Sequence, residues 1–303
     1  MSEDQLYFFY DLFQYLLNGI CQGSIYALIA LGYTMVYGII KLINFAHGEF
    51  YMIGAFTGYY CIKSGMPLLY AFPIAMLFSG IMAVIVEKLA YKPIRHAGRI
   101  PALITALGVS FFFQYFGQMV LGAAPKPFPE TYEDYNLLEK FGITEIIFTK
   151  TQAIIIVSTV VLMLFLRWLV MSTKVGKAMR ATSFNKDASE LMGINTDRII
   201  SFTFFIGASM AGAAGVLVGI YYNTIDPMMG LIPGLKAFIA AVLGGIGIIP
   251  GAVLGGLVLG VVENLVVGFW ESTYRDVVSF GILILILLVK PTGLLGTKSK
   301  EKV

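Results

Sequence analysis

The sequence predicts an all-α, polytopic membrane helix bundle, and three observations carry that prediction. The 303 residues are 58% hydrophobic and only 13% charged, against roughly 25% charged in an average soluble domain, and the mean hydropathy is +0.81. The apolar residues gather in about nine long runs, each near the ~20 residues that cross a bilayer. Within a run the hydrophobicity is continuous and does not alternate at period two. That selects helices over a barrel, because a helix pairs its backbone groups within the segment. At ~20 residues per crossing the chain holds about 8–10 transmembrane helices in one transmembrane domain, 1–303, with no room for a separate soluble enzyme.

The runs follow in order. The first, 12–40, is preceded by Glu3, Asp4 and Asp11 without Lys or Arg; it lacks the basic flank of a secretory signal and is read as a retained span. The second, 43–62, opens on the polar stretch Asn44 to Glu49. The third and fourth, 68–87 and 101–122, flank Lys88, Lys92, Arg95 and Arg99. A polar loop, 123–150, leads to the fifth, 151–171. A basic connection, 172–198, precedes the sixth, 199–222. The seventh and eighth, 231–247 and 251–268, are separated only by Gly247-Ile248-Ile249-Pro250-Gly251, and the ninth spans 276–290. Re-entrant or broken helices are expected at the second run and at the seventh and eighth.

Basic residues set the orientation. Lys88, Lys92, Arg95 and Arg99 form one group; Arg167, Lys174, Lys177, Arg180, Lys186 and Arg198 a second; Lys290, Lys298, Lys300 and Lys302 a third, together 14 of the 21 Lys and Arg. All three groups can lie in the cytoplasm, since two spans separate the first from the second and four the second from the third. The 172–198 segment and the C-terminus are then cytoplasmic, and the acidic 123–150 loop and the N-terminus external. Cys21 and Cys61 lie in apolar stretches and read as small buried side chains, not as a disulfide or metal site.

Glycines recur four apart at Gly19/Gly23, Gly54/Gly58, Gly215/Gly219, Gly230/Gly234, Gly251/Gly255 and Gly256/Gly260, the spacing that lets helix backbones approach closely in lipid. Gly54 to Tyr60 faintly echoes Gly215 to Tyr222, an internal similarity of the kind transporter repeats leave.

The sequence carries no G-x-x-x-x-G-K-[ST] loop; the nearest fragment, Gly176-Lys177-Ala178, lacks the earlier glycine and the hydroxyl. H-E-x-x-H, Gly-x-Ser-x-Gly and clustered His or Cys are also missing, which argues against a membrane enzyme. Ionisable residues inside the runs are few: His47 and Glu49 near the start of the second, Lys236 in the seventh, Glu263 in the eighth. Asn44 is a candidate cap that leaves helix amides facing a water-filled cavity, and His47 and Glu49 alternatively pair with each other or with backbone. Lys236 and Glu263 are candidates for an interhelical ion pair. Many spans, little buried charge and no nucleotide loop point to a passage driven by a partner at the membrane face.

That partner has a candidate seat in 172–198. Its middle reads as a short helix with Asn185 as N-cap, Asp187 and Glu190 in the first turn, and Gly193 as the stop. The helix would present Ala188, Leu191 and Met192; the plainer alternative is a solvated basic loop that only sets topology.

The run from Asn18-Gly19 through Gly23-Ser24-Ile25-Tyr26 to Gly38, then Ile43-Asn44-Phe45-Ala46-His47-Gly48-Glu49 and Tyr51-Met52-Ile53-Gly54, resembles the LivH-type permeases of high-affinity branched-chain amino-acid ABC importers. The resemblance continues at Pro101 to Gly108, Arg180-Ala181 through Gly193-Ile194, Gly244 to Gly247 with Pro250-Gly251-Ala252, and Lys290 to Gly296; only the 123–150 loop lacks a counterpart. It implies an ABC-importer permease fold and a non-enzymatic transport subunit. The implied partners are a second homologous permease, two cytoplasmic ABC ATPases that bind ATP-Mg, a periplasmic or extracellular amino-acid-binding protein, and membrane lipid; no nucleic acid is expected. No cofactor is expected on the chain itself. Asp187, Ala188, Ser189, Glu190, Leu191, Met192 and Gly193 resemble the coupling loop, with Asp187-Ala188-Ser189 standing where the wider pattern has E-A-A. Asn44, His47 and Glu49 would lie near the pathway, with Lys236 and Glu263 as further pathway candidates. The implied cargo is leucine, isoleucine and valine in the bacterial cytoplasmic membrane. The alternatives are urea, short amides or other small polar solutes on the same machine, or a stand-alone ion-coupled carrier.

Overall fold

The computed structural model describes residues 3–42, 44–95, 97–142 and 144–296; Lys298, Lys300 and Lys302 of the third basic group lie outside them. Eleven α-helices are formed among these residues: α1 (Glu3–Ile40), α2 (His47–Lys63), α3 (Leu68–Val86), α4 (Arg99–Leu121), α5 (Lys150–Ser172), α6 (Lys174–Phe184), α7 (Lys186–Leu191), α8 (Thr196–Tyr222), α9 (Leu231–Gly244), α10 (Ile249–Phe269) and α11 (Tyr274–Val289). Two residues each of β1 (Lys126–Pro127) and β2 (Thr224–Ile225) pair antiparallel and tie the loop after α4 to the end of α8.

All nine apolar runs contain a helix, but among the described residues six helices, α1, α3, α4, α5, α8 and α10, are long and apolar enough to cross a membrane by themselves. Helices α2, α9 and α11 have 17, 14 and 16 residues. At 1.5 Å per residue α9 is about 21 Å long, short of a ~30 Å hydrocarbon core. The break expected between the seventh and eighth runs is real: α9 stops at Gly244, and Gly245 and Gly247 turn the chain at φ +108 and +94 before α10 begins.

Helix α8 is the centre of the bundle, buried almost continuously from Thr203 to Ile220. It can be central because it is built of small residues, Gly207-Ala208-Ser209 and Ala211-Gly212-Ala213-Ala214-Gly215. Apolar packing alone drives little association in lipid, so close backbone contact has to supply the attraction. Gly54 of α2 lies against Gly212 of α8, and Gly215 against Tyr51 and Ala55, so the two echoing stretches belong to helices packed on each other. On the other side α1 locks to α10 through Gly19, Gly23, Gly256 and Gly260.

A Cβ at Gly256 would lie 2.7 Å from the Ala27 backbone nitrogen and 2.8 Å from its Cα, and backbone cannot step aside. Gly256→Val is expected to cost about 1–3 kcal/mol, read as a lower melting point in detergent, whereas Gly108→Val, with nothing within 4 Å, should leave melting unchanged.

Candidate functional site

Lys236, 3% exposed on α9, and Glu263, fully buried on α10, stand 2.9 Å apart. A carboxylate in hydrocarbon is costly unless its oxygens are satisfied, and Glu263 is surrounded. Oε2 accepts from the Tyr26 hydroxyl (2.8 Å) and Gln22 Nε2 (3.0 Å) and lies 3.2 Å from Arg275 Nε. Oε1 faces Lys236 and accepts from the Ser279 hydroxyl. Lys236 also meets Asp276 at 2.7 Å, and Arg275 donates to Gln22 Oε1 at 2.6 Å. Two cations and two carboxylates thus form one neutral cluster joining α1, α9, α10 and α11. Sequence reading found Lys236 and Glu263 but missed Gln22, Tyr26, Arg275 and Asp276. The four-residue spacing of Gln22 and Tyr26, which puts both on one face of α1, was the available signal.

Beside this cluster lies a cavity of about 480 Å³. Gln22, Tyr26, Asp226, Lys236 and Arg275 give it polar walls, and Ile25, Val218, Met229 and Ile232 apolar ones.

The head of α2 departs from expectation. Asn44 does not cap the helix: Ala46 occupies the cap position, because Phe45 and Ala46 form a turn first. Asn44 Oδ1 instead accepts from the Ala46 N–H (3.1 Å) and the Tyr91 hydroxyl (2.6 Å). His47 and Glu49 do not pair. The His47 ring packs on Tyr33 with centroids 4.6 Å apart, and Glu49 Oε1 accepts from Ser110 and Gln114 of α4, both at 2.8 Å. The helix head abuts the start of α9. A Cβ at Gly234 would lie 3.0 Å from the Gly48 Cα, and one at Gly230 would lie 2.6 Å from the Gly48 carbonyl oxygen and 2.9 Å from Glu49 Oε2. The N-termini of two short helices therefore converge, and the Glu49 carboxylate sits where the positive end of the α9 dipole favours it. Tyr51 and Ile232 place this crossing at the edge of the 480 Å³ cavity.

In the 172–198 segment the short helix is α7, preceded by α6, which sequence reading did not separate. Asn185 ends α6 and caps α7, accepting from the Ala188 N–H at 3.0 Å. Gly193 at φ +82 closes it, with Gly193 N–H donating to Glu190 O (2.9 Å) and Ile194 N–H to Ser189 O (3.0 Å). Asp187 is in the first turn, but Glu190 belongs to the last, where it accepts from the Thr196 hydroxyl and faces Lys186 at 3.9 Å. Ser189 turns inward; Asp187, Ala188, Glu190, Leu191, Met192 and Gly193 are exposed. Leu191 is 89% and Met192 83% exposed, and Phe184, unremarked in the sequence, 92%. This short polar segment thus carries three bare apolar side chains. Among the described residues no group of His, Cys, Asp and Glu is placed to hold a metal, and Cys21 and Cys61 are free thiols.

Six helices of span length packed around a buried, neutralised charge cluster make this a polytopic membrane protein, and the family match that follows makes it a transport subunit of the permease class. The sequence matches the family described as "Branched-chain amino acid transport system / permease component" over residues 15–287. It is 44% identical to the high-affinity branched-chain amino acid permease LivH of Salmonella typhimurium, with 100% of both chains covered, and equally identical to LivH of Escherichia coli K12 over the same full coverage. It is 42% identical to BraD of Pseudomonas aeruginosa, covering 97% of this chain and 99% of that one. The chain belongs to this family of ABC-importer permeases.

Proposed function

We propose that this permease carries leucine, isoleucine and valine into the cell across the bacterial cytoplasmic membrane. It does so paired with a second homologous permease, taking substrate from a periplasmic or extracellular binding protein. Two cytoplasmic ABC ATPases, which bind ATP-Mg, dock on Asp187 to Gly193. The 172–198 segment and the C-terminus are cytoplasmic in this reading, and the 123–150 loop and N-terminus external. The observation that carries the substrate class is the 44% identity, over the whole length of both chains, to permeases named for branched-chain amino acids.

The cavity beside Lys236 and Glu263 supports a pathway role. A branched-chain amino acid is a zwitterion with a compact aliphatic side chain, and this cavity presents a guanidinium (Arg275), a carboxylate (Asp226) and aliphatic walls (Ile25, Val218, Ile232). His47 and Glu49 belong to the head of α2 at the α2–α9 crossing, and Asn44 ties the turn before it to Tyr91; together they fix the helix head beside the passage.

The test is reconstitution into proteoliposomes. The full complex with its binding protein should accumulate leucine only with ATP, and this chain alone should accumulate none. Uphill leucine uptake by the chain alone, or a complex that concentrates urea or a short amide but not leucine, would overturn the reading.

A further inference from the structure

We propose that Arg95 is the positioning residue that carries the ATPase stroke from the coupling segment into the bundle, as the middle member of a latch from Glu87 to Asp197. The inference rests on α7 being the ATPase seat and adds how that seat is connected. Arg95 belongs to a basic group that sequence reading used only to orient the chain, yet its side chain is 7% exposed and Glu87 is fully buried. At Glu87 helix α3 loosens into a π-helical turn, Glu87–Tyr91, followed by a 3₁₀ turn, Lys92–Ile94, a widening often found at functional positions. That turn folds Arg95 back onto Glu87, so the two form an ion pair. The other Glu87 oxygen accepts from the Ser201 hydroxyl of α8 at 2.6 Å. On its far side Arg95 donates to Asp197 Oδ1 at 2.6 Å, while Lys92 meets Asp197 Oδ2 at 2.8 Å.

Asp197 adjoins Thr196, whose hydroxyl is held by Glu190 of α7. A continuous polar path therefore runs from α7 through Thr196 and Asp197 to Arg95, Glu87 and the end of α3. Around it the packing is open. A cavity of about 430 Å³ is edged by Lys41, Arg95, Gly98, Thr182, Lys186 and Asp187, so residues of α6 and α7 and the α3–α4 connection share its walls. Arg95 lines that space opposite Asp187 of α7, so the latch supplies a polar connection where packing is loose. The guanidinium suits the task, because its planar fork holds two carboxylates in fixed directions and stays charged.

The experiment measures leucine uptake and binding-protein-stimulated ATP hydrolysis on the same reconstituted complex. Asp197→Asn removes the half-exposed end of the latch without stranding a buried charge; Arg95→Gln and Arg95→Lys probe its centre. With assembly intact, Asp197→Asn and Arg95→Gln should raise the ATP hydrolysed per leucine by roughly tenfold, and Arg95→Lys should recover part of the loss. An Asp197→Asn complex whose uptake and hydrolysis keep the wild-type ratio would overturn the latch, whatever the folding of the Arg95 variants. Failure of the underlying reading is separately visible: an Ala188→Arg permease that still retains its ATPases shows that α7 is not their seat.

Discussion

Lys236→Ala is expected to destabilise this permease by about 3–5 kcal/mol, the range for removing one partner of a buried ion pair. Glu263 is fully buried, and without the ammonium its Oε1 keeps only the Ser279 hydroxyl, an interaction too weak to replace a cation. Arg275 stays near the other oxygen but is itself shared with Gln22. Asp276, half exposed, can turn to water and contributes little to the loss. The measurement is yield and melting temperature in detergent, with leucine competition in the surviving protein as control. The double variant Lys236→Met with Glu263→Gln should melt much closer to wild type, since it removes both buried charges together. A Lys236→Ala protein with unaltered expression and melting would remove the structural role of the pair.

The reach of sequence reading follows from which signals are local. Apolar runs, four-residue glycine spacing, and the Asn185 cap with the Gly193 stop are written within a few residues of each other, and all correspond to features of the fold. Lys236 and Glu263 were visible because a charge in an apolar run is conspicuous. Gln22 was not, because its spacing to Tyr26 marks a shared helix face but not the partner 241 residues away. The head of α2 misled for two reasons. Asn44 looked like a cap, but a turn intervenes and the helix begins at His47. His47 and Glu49, read as paired with each other or with backbone, do not face one another because they stand two apart on a helix, and His47 takes the backbone partner, at Ile29. Arg95 illustrates a third limit: a basic residue at a span end tells the side of the membrane and nothing about which carboxylate receives it.

Disrupting α7 should have the largest effect on transport with the smallest effect on the permease itself. Ala188 is exposed, so Ala188→Arg leaves the helix, its cap and its closing turn intact. It places a bulky cation on the face that carries Leu191 and Met192. Loss of one central interface contact typically costs about 2 kcal/mol or more, roughly thirtyfold in affinity, and an intruding charge that cannot be solvated costs at least as much. Gly193→Val reaches the same end by a different route. Nothing lies within 4 Å of the new Cβ, so the cost is conformational: a β-branched residue resists φ +82. A six-residue helix depends on its two ends to exist at all. Both variants should insert at wild-type levels, since α7 lies outside the helices of span length, yet lose the co-purifying ATPases and leucine uptake. Lys177→Ala, exposed on α6, should retain both. Wild-type uptake in the Ala188 and Gly193 variants would leave the bare apolar side chains of this segment without a partner and the docking assignment without support.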